Sequence, residues 1–428
     1  MTGSRPVARS AGGRSGLRAV WADRDTRVYL AGQTLSIFGD TTLWLGVALW
    51  VKLLTHSSSD AGLVFFVYTL PSVAAPAGGV LVDRVRRRPL LIVLNLLSAP
   101  TVLLLLAVTG RHQLWLIYVV MFLYGISGSL LASAQSAFLT VLVPARLLPD
   151  ANAVLQTGRE ALRLVSPLIG AAVVATVGSA KPVAIFDAAT FVVASGSLAV
   201  LRVREPRPAR PEGRRTVELL AGIRHLWHTP PLRQIVVAGA VALLVIGFDE
   251  TLVFAAVQHG LHRPATFVGI LVSVQGVGAI GGGLTAARSI RRLGEGHALA
   301  IGLTLFGLGD ATLMAGNLPL AVGGIVVAGF GLPWAVVALS VAVQRRTPAH
   351  LQGRAASAAD ALLSTPQTVS IGLGAALVLV VDYRILLAVV AVVVLVACAW
   401  LATRREQRVL GGAGEHASPA EGRSATRV

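Results

Sequence analysis

The sequence predicts an all-α membrane protein, with twelve transmembrane helices in two pseudo-symmetric halves of six. Three observations carry this. Long apolar runs recur along all 428 residues, of which 54% are hydrophobic and 13% charged, with a mean hydropathy of +0.73. Soluble domains carry about 25% charged residues, so a soluble core does not account for this composition. The basic residues collect in every second connection between apolar runs, and the second half of the chain weakly repeats the first.

Taken in order, residues 1–27 are rich in Arg and Gly and hold no apolar run. They predict a disordered cytoplasmic tail without a cleaved signal peptide. Spans follow at 28–51, 61–82, 89–109, 114–142, 152–177 and 183–201, and form an N-terminal six-helix bundle over 28–202. A helix of about 20 residues crosses a hydrocarbon core of about 30 Å. Residues 203–232 form a cytoplasmic linker. Pro206, Pro208 and Pro211 break its first part, and Val217, Leu219, Leu220, Ile223, Leu226 and Trp227 then mark a short amphipathic helix. Such a helix lies on the membrane face. Spans at 234–257, 266–287, 296–315, 319–343, 355–381 and 383–402 make a C-terminal six-helix bundle over 233–403. Residues 404–428 read as a second disordered cytoplasmic tail.

The net charge of +17 is topological. Lys52, Arg111, Lys181, Arg263 and Arg384 lie on one side and Arg159 and Arg163 inside a span; every other Lys and Arg falls in the tails or the even-numbered connections. The positive-inside rule then places both termini in the cytoplasm of a cell-membrane protein. It also makes anionic lipid headgroups, rather than nucleic acid, the partner of this charge. Cys398 is the only cysteine, so no internal disulfide forms. The histidines are read as lying in loops and tails, with His297 at the very edge of the span 296–315, so no buried His/Cys metal site is expected, and no phosphate-cradling Gly-Lys-Ser/Thr loop is present. Neither a cofactor nor an enzymatic nucleophile is expected.

The repeat rests on four matches. Pro144-Ala145-Arg146-Leu147 corresponds to Pro348-Ala349-His350-Leu351, and Gly170-Ala171-Ala172 to Gly374-Ala375-Ala376, both at an offset of 204. Gly79-Val80-Leu81-Val82 corresponds to Gly282-Gly283-Leu284-Thr285 at 203, and Asp40-Thr41-Thr42-Leu43 to Asp249-Glu250-Thr251-Leu252 at 209. Parallel halves related about the membrane normal produce this pattern.

Ionisable groups inside a bilayer cost a few kcal/mol each and mark function by default. Asp40 lies about 18 Å along the first span, on one face with Gln33 and Ser36. The fifth span carries Arg159, Glu160 and Arg163, with Arg163 level with Asp40. An Asp40–Arg163 interaction is therefore expected. It is either a carboxylate that takes and releases a proton as the Arg moves, or a fixed ion pair joining two helices. Asp249 and Glu250 point about 100° apart on the seventh span, toward its outer half. They either receive a proton or a cationic substrate, or are capped at an irregular turn. Asp187 and Asp310 read as solvated ends near the outer surface. Asp360 near the other end of the eleventh span is either a gating contact or a solvated end.

The hairpin Gly78-Gly79-Val80-Leu81-Val82-Asp83-Arg84-Val85-Arg86-Arg87-Arg88-Pro89 separates two apolar runs. It resembles the loop between helices 2 and 3 of the major facilitator superfamily, Gly-x-Leu-x-Asp-Arg-x-Gly-Arg-Arg. Gly79, Leu81, Asp83, Arg84, Arg87 and Arg88 match, and Arg86 replaces the family's second Gly. Residues 32–40, Gly-Gln-Thr-Leu-Ser-Ile-Phe-Gly-Asp, and the segment Val143–Ala153 resemble the macrolide-efflux and enterobactin-exporter branch. Ser166-Pro167-Leu168-Ile169-Gly170-Ala171 is similar to the end of the exporter motif Gly-Pro-x-x-Gly-Gly, with Pro167 as helix kink and Gly170 as packing position.

The resemblance implies the major facilitator fold and a secondary transporter of small molecules, coupled to protons and exporting amphipathic compounds. It implies that the motif Gly79, Asp83, Arg84, Arg87 and Arg88 fastens the second span to the eleventh when the cytoplasmic side closes. Gly79 permits close approach, Asp83 meets the start of the eleventh span or its Arg354, and Arg87 and Arg88 bind loop carboxylates or lipid phosphate, the alternative being plain anchoring by the arginines. It places Tyr124, Phe254, Phe330 and Trp334 as candidate cavity aromatics. Alternatives are a dedicated siderophore or lipid transporter on the same fold, or a transporter-like sensor that moves nothing.

Overall fold

The computed structural model describes residues 20–74, 85–144, 147–203, 205, 215–348 and 351–408. The first bundle is built from α1 (Arg24–Thr55), α2 (Ser58–Thr69, extended by a 3-10 turn to Ala74), α3 (Arg87–Leu103), α4 (Leu114–Leu142), α5 (Leu148–Val177) and α6 (Lys181–Val200). The linker helix is α7 (Arg215–His228). The second bundle follows as α8 (Pro230–Ile246), α9 (Asp249–Ala255), α10 (Phe267–Leu293), α11 (Glu295–Ala311), α12 (Leu318–Arg346), α13 (Gln352–Leu377) and α14 (Tyr383–Ala402), with a short α15 (Arg405–Arg408) after it. Helices α8 and α9 and the wide turn Ala256–Gly260 make one span, so the halves have six spans each.

Side-chain caps fix where several helices begin. The Thr26 N–H donates to Asp23 Oδ2 at 2.8 Å, which starts α1 at Arg24 rather than at residue 28. Ser57 caps α2, Asn317 caps α12 and Asp382 caps α14. Each accepts from an N–H that the first turn leaves without a helical partner. His259 falls in the last turn of the Pro230–Gly260 span and His297 in the first turn of α11, although the sequence reading put the histidines in loops and tails. The wide turn carries the helix beyond residue 257 and takes His259 with it.

Among the described residues nine helical segments are long and apolar enough to cross a membrane. The spans outside that set are α2, α5 and α13. Helix α5 is interrupted by Arg159, Glu160 and Arg163, and α13 by Arg354, Asp360 and Gln367. These three are also the helices that pack across the two halves, α2 against α13 and α5 against α10. Helices that face a partner or a cavity can carry polar groups that lipid forbids.

One end of the bundle carries the clustered arginines and is called the basic end below. At the opposite, far end the halves meet closely. Gly62 of α2 abuts Thr251 of α9, and Phe65 stacks on Phe254 with ring centroids 6.2 Å apart. Gly372 of α13 lies against the Phe66 ring, and a Cβ at Gly269 of α10 would come within 2.9 Å of the Pro167 carbonyl oxygen. Gly276 against Leu164 continues the α5–α10 contact. Further toward the basic end Gly283 has nothing within 4 Å of a built Cβ, and Leu284 is 82% exposed. Among the described residues the halves are thus sealed at the far end and part toward the basic end.

The expected gate residues divide. Gly79, Asp83 and Arg84 lie outside the described residues. Arg87 and Arg88 bind a carboxylate of the linker, Glu205, and the end of α6. Their backbone N–H groups donate to the Glu205 carboxylate at 2.7 and 3.0 Å, and the Arg88 guanidinium donates to the carbonyls of Leu198 and Ala199. They cap the start of α3 and the last carbonyls of α6 together. Arg354 lies in the first turn of α13, where its carbonyl packs against Gly222 of α7. His225 of the same helix contacts the Arg346 carbonyl at 3.2 Å, so the linker helix is fastened to the second half.

Gly170 brings α5 onto α1: a Cβ there would stand 2.6 Å from the Thr42 carbonyl oxygen. Gly170→Val is expected to lower stability by about 1–3 kcal/mol through overpacking. Thermal unfolding of the detergent-solubilised variant beside the wild type measures it; an unchanged midpoint would show that α1 and α5 part at no cost.

Candidate functional site

Helix α1 carries Gly32, Gly39 and Gly46 at seven-residue spacing. Gly32 abuts Ser197 and Gly39 abuts Asp187 and Thr190, both on α6. Small residues at a helix interface let backbones approach. The approach at Gly39 sets Asp40 beside Asp187. Between them, from α4, comes Tyr124. Its hydroxyl donates to Asp40 Oδ1 at 2.5 Å and stands 3.1 Å from Asp187 Oδ2. The Thr190 hydroxyl lies 3.4 Å from the other Asp187 oxygen. Asp187 is 0% exposed, whereas Asp40 is half-buried.

One hydroxyl proton cannot serve two carboxylate oxygens in full. Tyr124 gives its proton to Asp40, and the longer contact to Asp187 is satisfied when a second proton sits on that carboxyl. The three groups therefore make a hydrogen-bonded site whose completion calls for one extra proton. Tyr68 tilts against the Tyr124 ring at 5.6 Å, and Phe191 meets its edge at 6.0 Å.

Asp40 opens into a cavity of about 190 Å3. Its walls are Ile37, Asp40, Tyr68, Ser98, Tyr124, Gly128, Leu131, Ala132, Gln135, Arg159 and Phe191. All of these come from the first half. Arg159 is exposed and supplies the positive charge of the wall.

The expected Asp40–Arg163 pair does not form. Tyr124 occupies the Asp40 carboxyl, and Arg159, one turn earlier on α5, shares its cavity. Arg163 instead acts electrostatically on Glu250 of α9, across the two halves. The side chain of Glu160 is outside the described ones. Asp310 is not solvated and Asp249 is not capped: Asp310 is 5% exposed, and both Asp249 carboxyl oxygens and Asp310 Oδ2 are buried without a hydrogen-bond partner among the described residues. Asp187 likewise is buried rather than solvated. Its signal in the sequence was an acid seven residues into an apolar helix, with no basic neighbour one turn away.

Of the candidate aromatics only Tyr124 lines this cavity. Phe254 is buried against Phe65 at the far-end seal. Phe330 packs on Gly278 and Gly282 of α10, and the Trp334 indole N–H donates to the Thr285 hydroxyl at 2.9 Å. These two join α12 to α10. Pro167 is buried, with its carbonyl turned toward Gly269 at the α5–α10 contact.

Two six-span bundles sealed at one end, with an acid at a cavity wall between membrane helices, define a membrane transporter. The chain belongs to the major facilitator superfamily, whose family model matches residues 29–257 and 239–425. It is 28% identical over 337 residues to the enterobactin exporter EntS of Escherichia coli O1:K1 / APEC, across 76% of this chain and 78% of that relative. Among solved structures, a bacterial homologue of the iron transporter ferroportin in its inward-facing state superposes with a TM-score of 0.68 at 16% identity, over 88% of this chain and 99% of that one. The nucleoside transporter NupG superposes at 0.67 with 12% identity, over 89% of this chain and 98% of that one. Both structures share its fold.

Tyr124→Phe removes the donor that both carboxyls approach. A loss of about 1–3 kcal/mol is expected for leaving a buried acceptor unpaired, read as a lower unfolding midpoint. Asp187→Asn, which can still hydrogen-bond, is expected to lose less; the reverse ranking would remove Tyr124 as the bridging group.

Proposed function

We propose that this transporter exports amphipathic small molecules from the cytoplasm in exchange for protons. The observation that carries the reading is the Asp40–Tyr124–Asp187 site at the wall of the cavity. Its geometry favours one bound proton, and Asp40 reaches the cavity from which that proton can leave. Arg159 at the same wall supplies the partner that would favour the ionised carboxylate once the proton has gone. Cargo and proton then compete for one charged wall, which is the simplest physical basis of exchange.

The basic end is the cytoplasmic one in this reading, by the positive-inside rule. The far-end seal at Gly62–Thr251 and Phe65–Phe254 then closes the outer side. The cavity is poised to load from the cytoplasm, as an exporter requires. Arg163 and Glu250 stand in opposite halves, so their attraction favours this closed outer side. The name of the relative, an enterobactin exporter, supports the outward direction.

A dedicated siderophore exporter is the second reading. It is favoured by Arg159 in the cavity wall, which suits an acidic or catecholate cargo, together with that relative's name. An apolar, cationic panel and a catecholate panel separate the two.

Asp40→Asn is expected to abolish uncoupler-sensitive efflux of labelled amphipathic compounds from cells lacking their own pumps, with protein levels unchanged. Full efflux by this variant would remove Asp40 from coupling. Retention of efflux that no uncoupler diminishes, in the wild type, would remove protons as the driving ion.

A further inference from the structure

A groove of about 340 Å3 opens at the basic end between α8 and α14, beneath the end of the linker helix. Its walls are Trp227, Arg233, Gln234, Val237, Trp400 and Arg404. Two tryptophans and two arginines at the end of a membrane span match what the headgroup level of a bilayer selects. The Arg404 guanidinium lies over the Trp400 ring, 4.4 Å from its centroid. This holds the head in the groove while its Nε, buried, has no hydrogen-bond partner. Arg233 is exposed and, like Arg404, makes no ion pair among the described residues.

An acid does stand nearby. Glu406 lies within electrostatic reach of both arginines and is held below the usual carboxylate range, first of all by the amide of Gln234 that donates to it at 2.9 Å. Gln234 is in turn fixed by Gln407, whose amide donates to its oxygen at 3.1 Å. Glu406 is thus engaged with the floor of the groove, and the two guanidinium heads keep donors to spare. The local charge remains positive.

The groove also continues into the membrane. Val241 and Leu244 extend the Val237 face of α8, and Val396 and Val392 extend the Trp400 face of α14. All four are exposed. An apolar track that starts at a pair of arginines fits a molecule with a phosphate at one end and hydrocarbon at the other.

We propose that this groove binds the headgroup of an anionic phospholipid, with Arg233 and Arg404 holding the phosphodiester, the tryptophans flanking it and the acyl chains lying along the exposed valines. Basic pockets between membrane helices on the cytoplasmic side take such headgroups. The linker helix contributes Trp227 and is itself packed on α13 through Gly222, so an occupied groove braces the linker against the second half.

The test uses the full chain purified in mild detergent and titrated with dioleoyl phosphatidylglycerol, dioleoyl phosphatidylcholine or inorganic phosphate. Bound lipid is counted by native mass spectrometry and the unfolding midpoint is followed. Phosphatidylglycerol is expected to be retained and to raise the midpoint more than the other two. Arg233→Gln with Arg404→Gln is expected to raise its half-saturating concentration about tenfold or more, the scale of losing charge-assisted hydrogen bonds. Arg405→Gln, an exposed neighbour outside the groove, is expected to change nothing. Arg233→Gln alone, also exposed, serves if the double variant fails to fold, with a smaller shift expected. Equal retention of phosphatidylcholine, stabilisation by inorganic phosphate alone to the same degree, or unchanged binding by the Arg variants would each overturn the proposal.

Discussion

The Tyr124 hydroxyl, set between Asp40 and Asp187, is the interaction on which the first half depends. It ties α1, α4 and α6 together well inside the membrane, where a carboxyl without a partner is costly. The glycines of α1 exist in support of it. Without a bare backbone at Gly39, α6 could not bring Asp187 within reach of the same hydroxyl. Around it the aromatic rings of Tyr68 and Phe191 exclude water from one side and leave Asp40 open on the other. The packing of three helices and the proton exchange proposed above thus rest on the same few atoms.

The second half holds two acids of its own with buried carboxyl oxygens, Asp249 and Asp310, but sets them differently. Here the first span of the half is interrupted between α8 and α9. Gly247 lets α13 lie close, since a Cβ there would stand 2.7 Å from the Gln367 carbonyl oxygen. The acid follows directly at the start of α9. The weak sequence repeat matches Asp40 with Asp249 on the first spans of the two halves, and their surroundings differ. The consequence is an asymmetric molecule, with the cavity and its Arg in one half and the sealing aromatic Phe254 in the other.

The fold was legible in the sequence because membrane constraints are written in composition. Apolar length, alternation of arginines and the repeat each report one physical requirement, and the family match agrees with them. The site was less legible. Asp40 and Tyr124 stood out as polar groups in apolar runs, but their union did not, because it depends on how α1, α4 and α6 rotate about their axes. Arg163 looked level with Asp40 from helix rise alone; rotation of α5 leaves Arg159 rather than Arg163 at the cavity. Asp187 and Asp310 were misjudged for a related reason. Distance from a helix end says how deep a residue lies along the membrane normal, and says nothing of whether a neighbouring helix covers it.

Helices α10, α11 and α12 are joined differently from the rest. Gly278 and Gly329 place α10 and α12 backbone against backbone, and Gly302 with Gly331 and Gly309 with Gly324 do the same for α11 and α12. Such contacts contain few side-chain rotamers, so they cannot absorb a change of crossing angle by repacking. The three helices behave mechanically as a single stiff beam. Any rocking of the second half must then be taken up where the helices are already broken, above all at Gly247 between α8 and α9, just before Asp249. The bearing on which the beam turns and the buried Asp249 carboxyl are two residues apart.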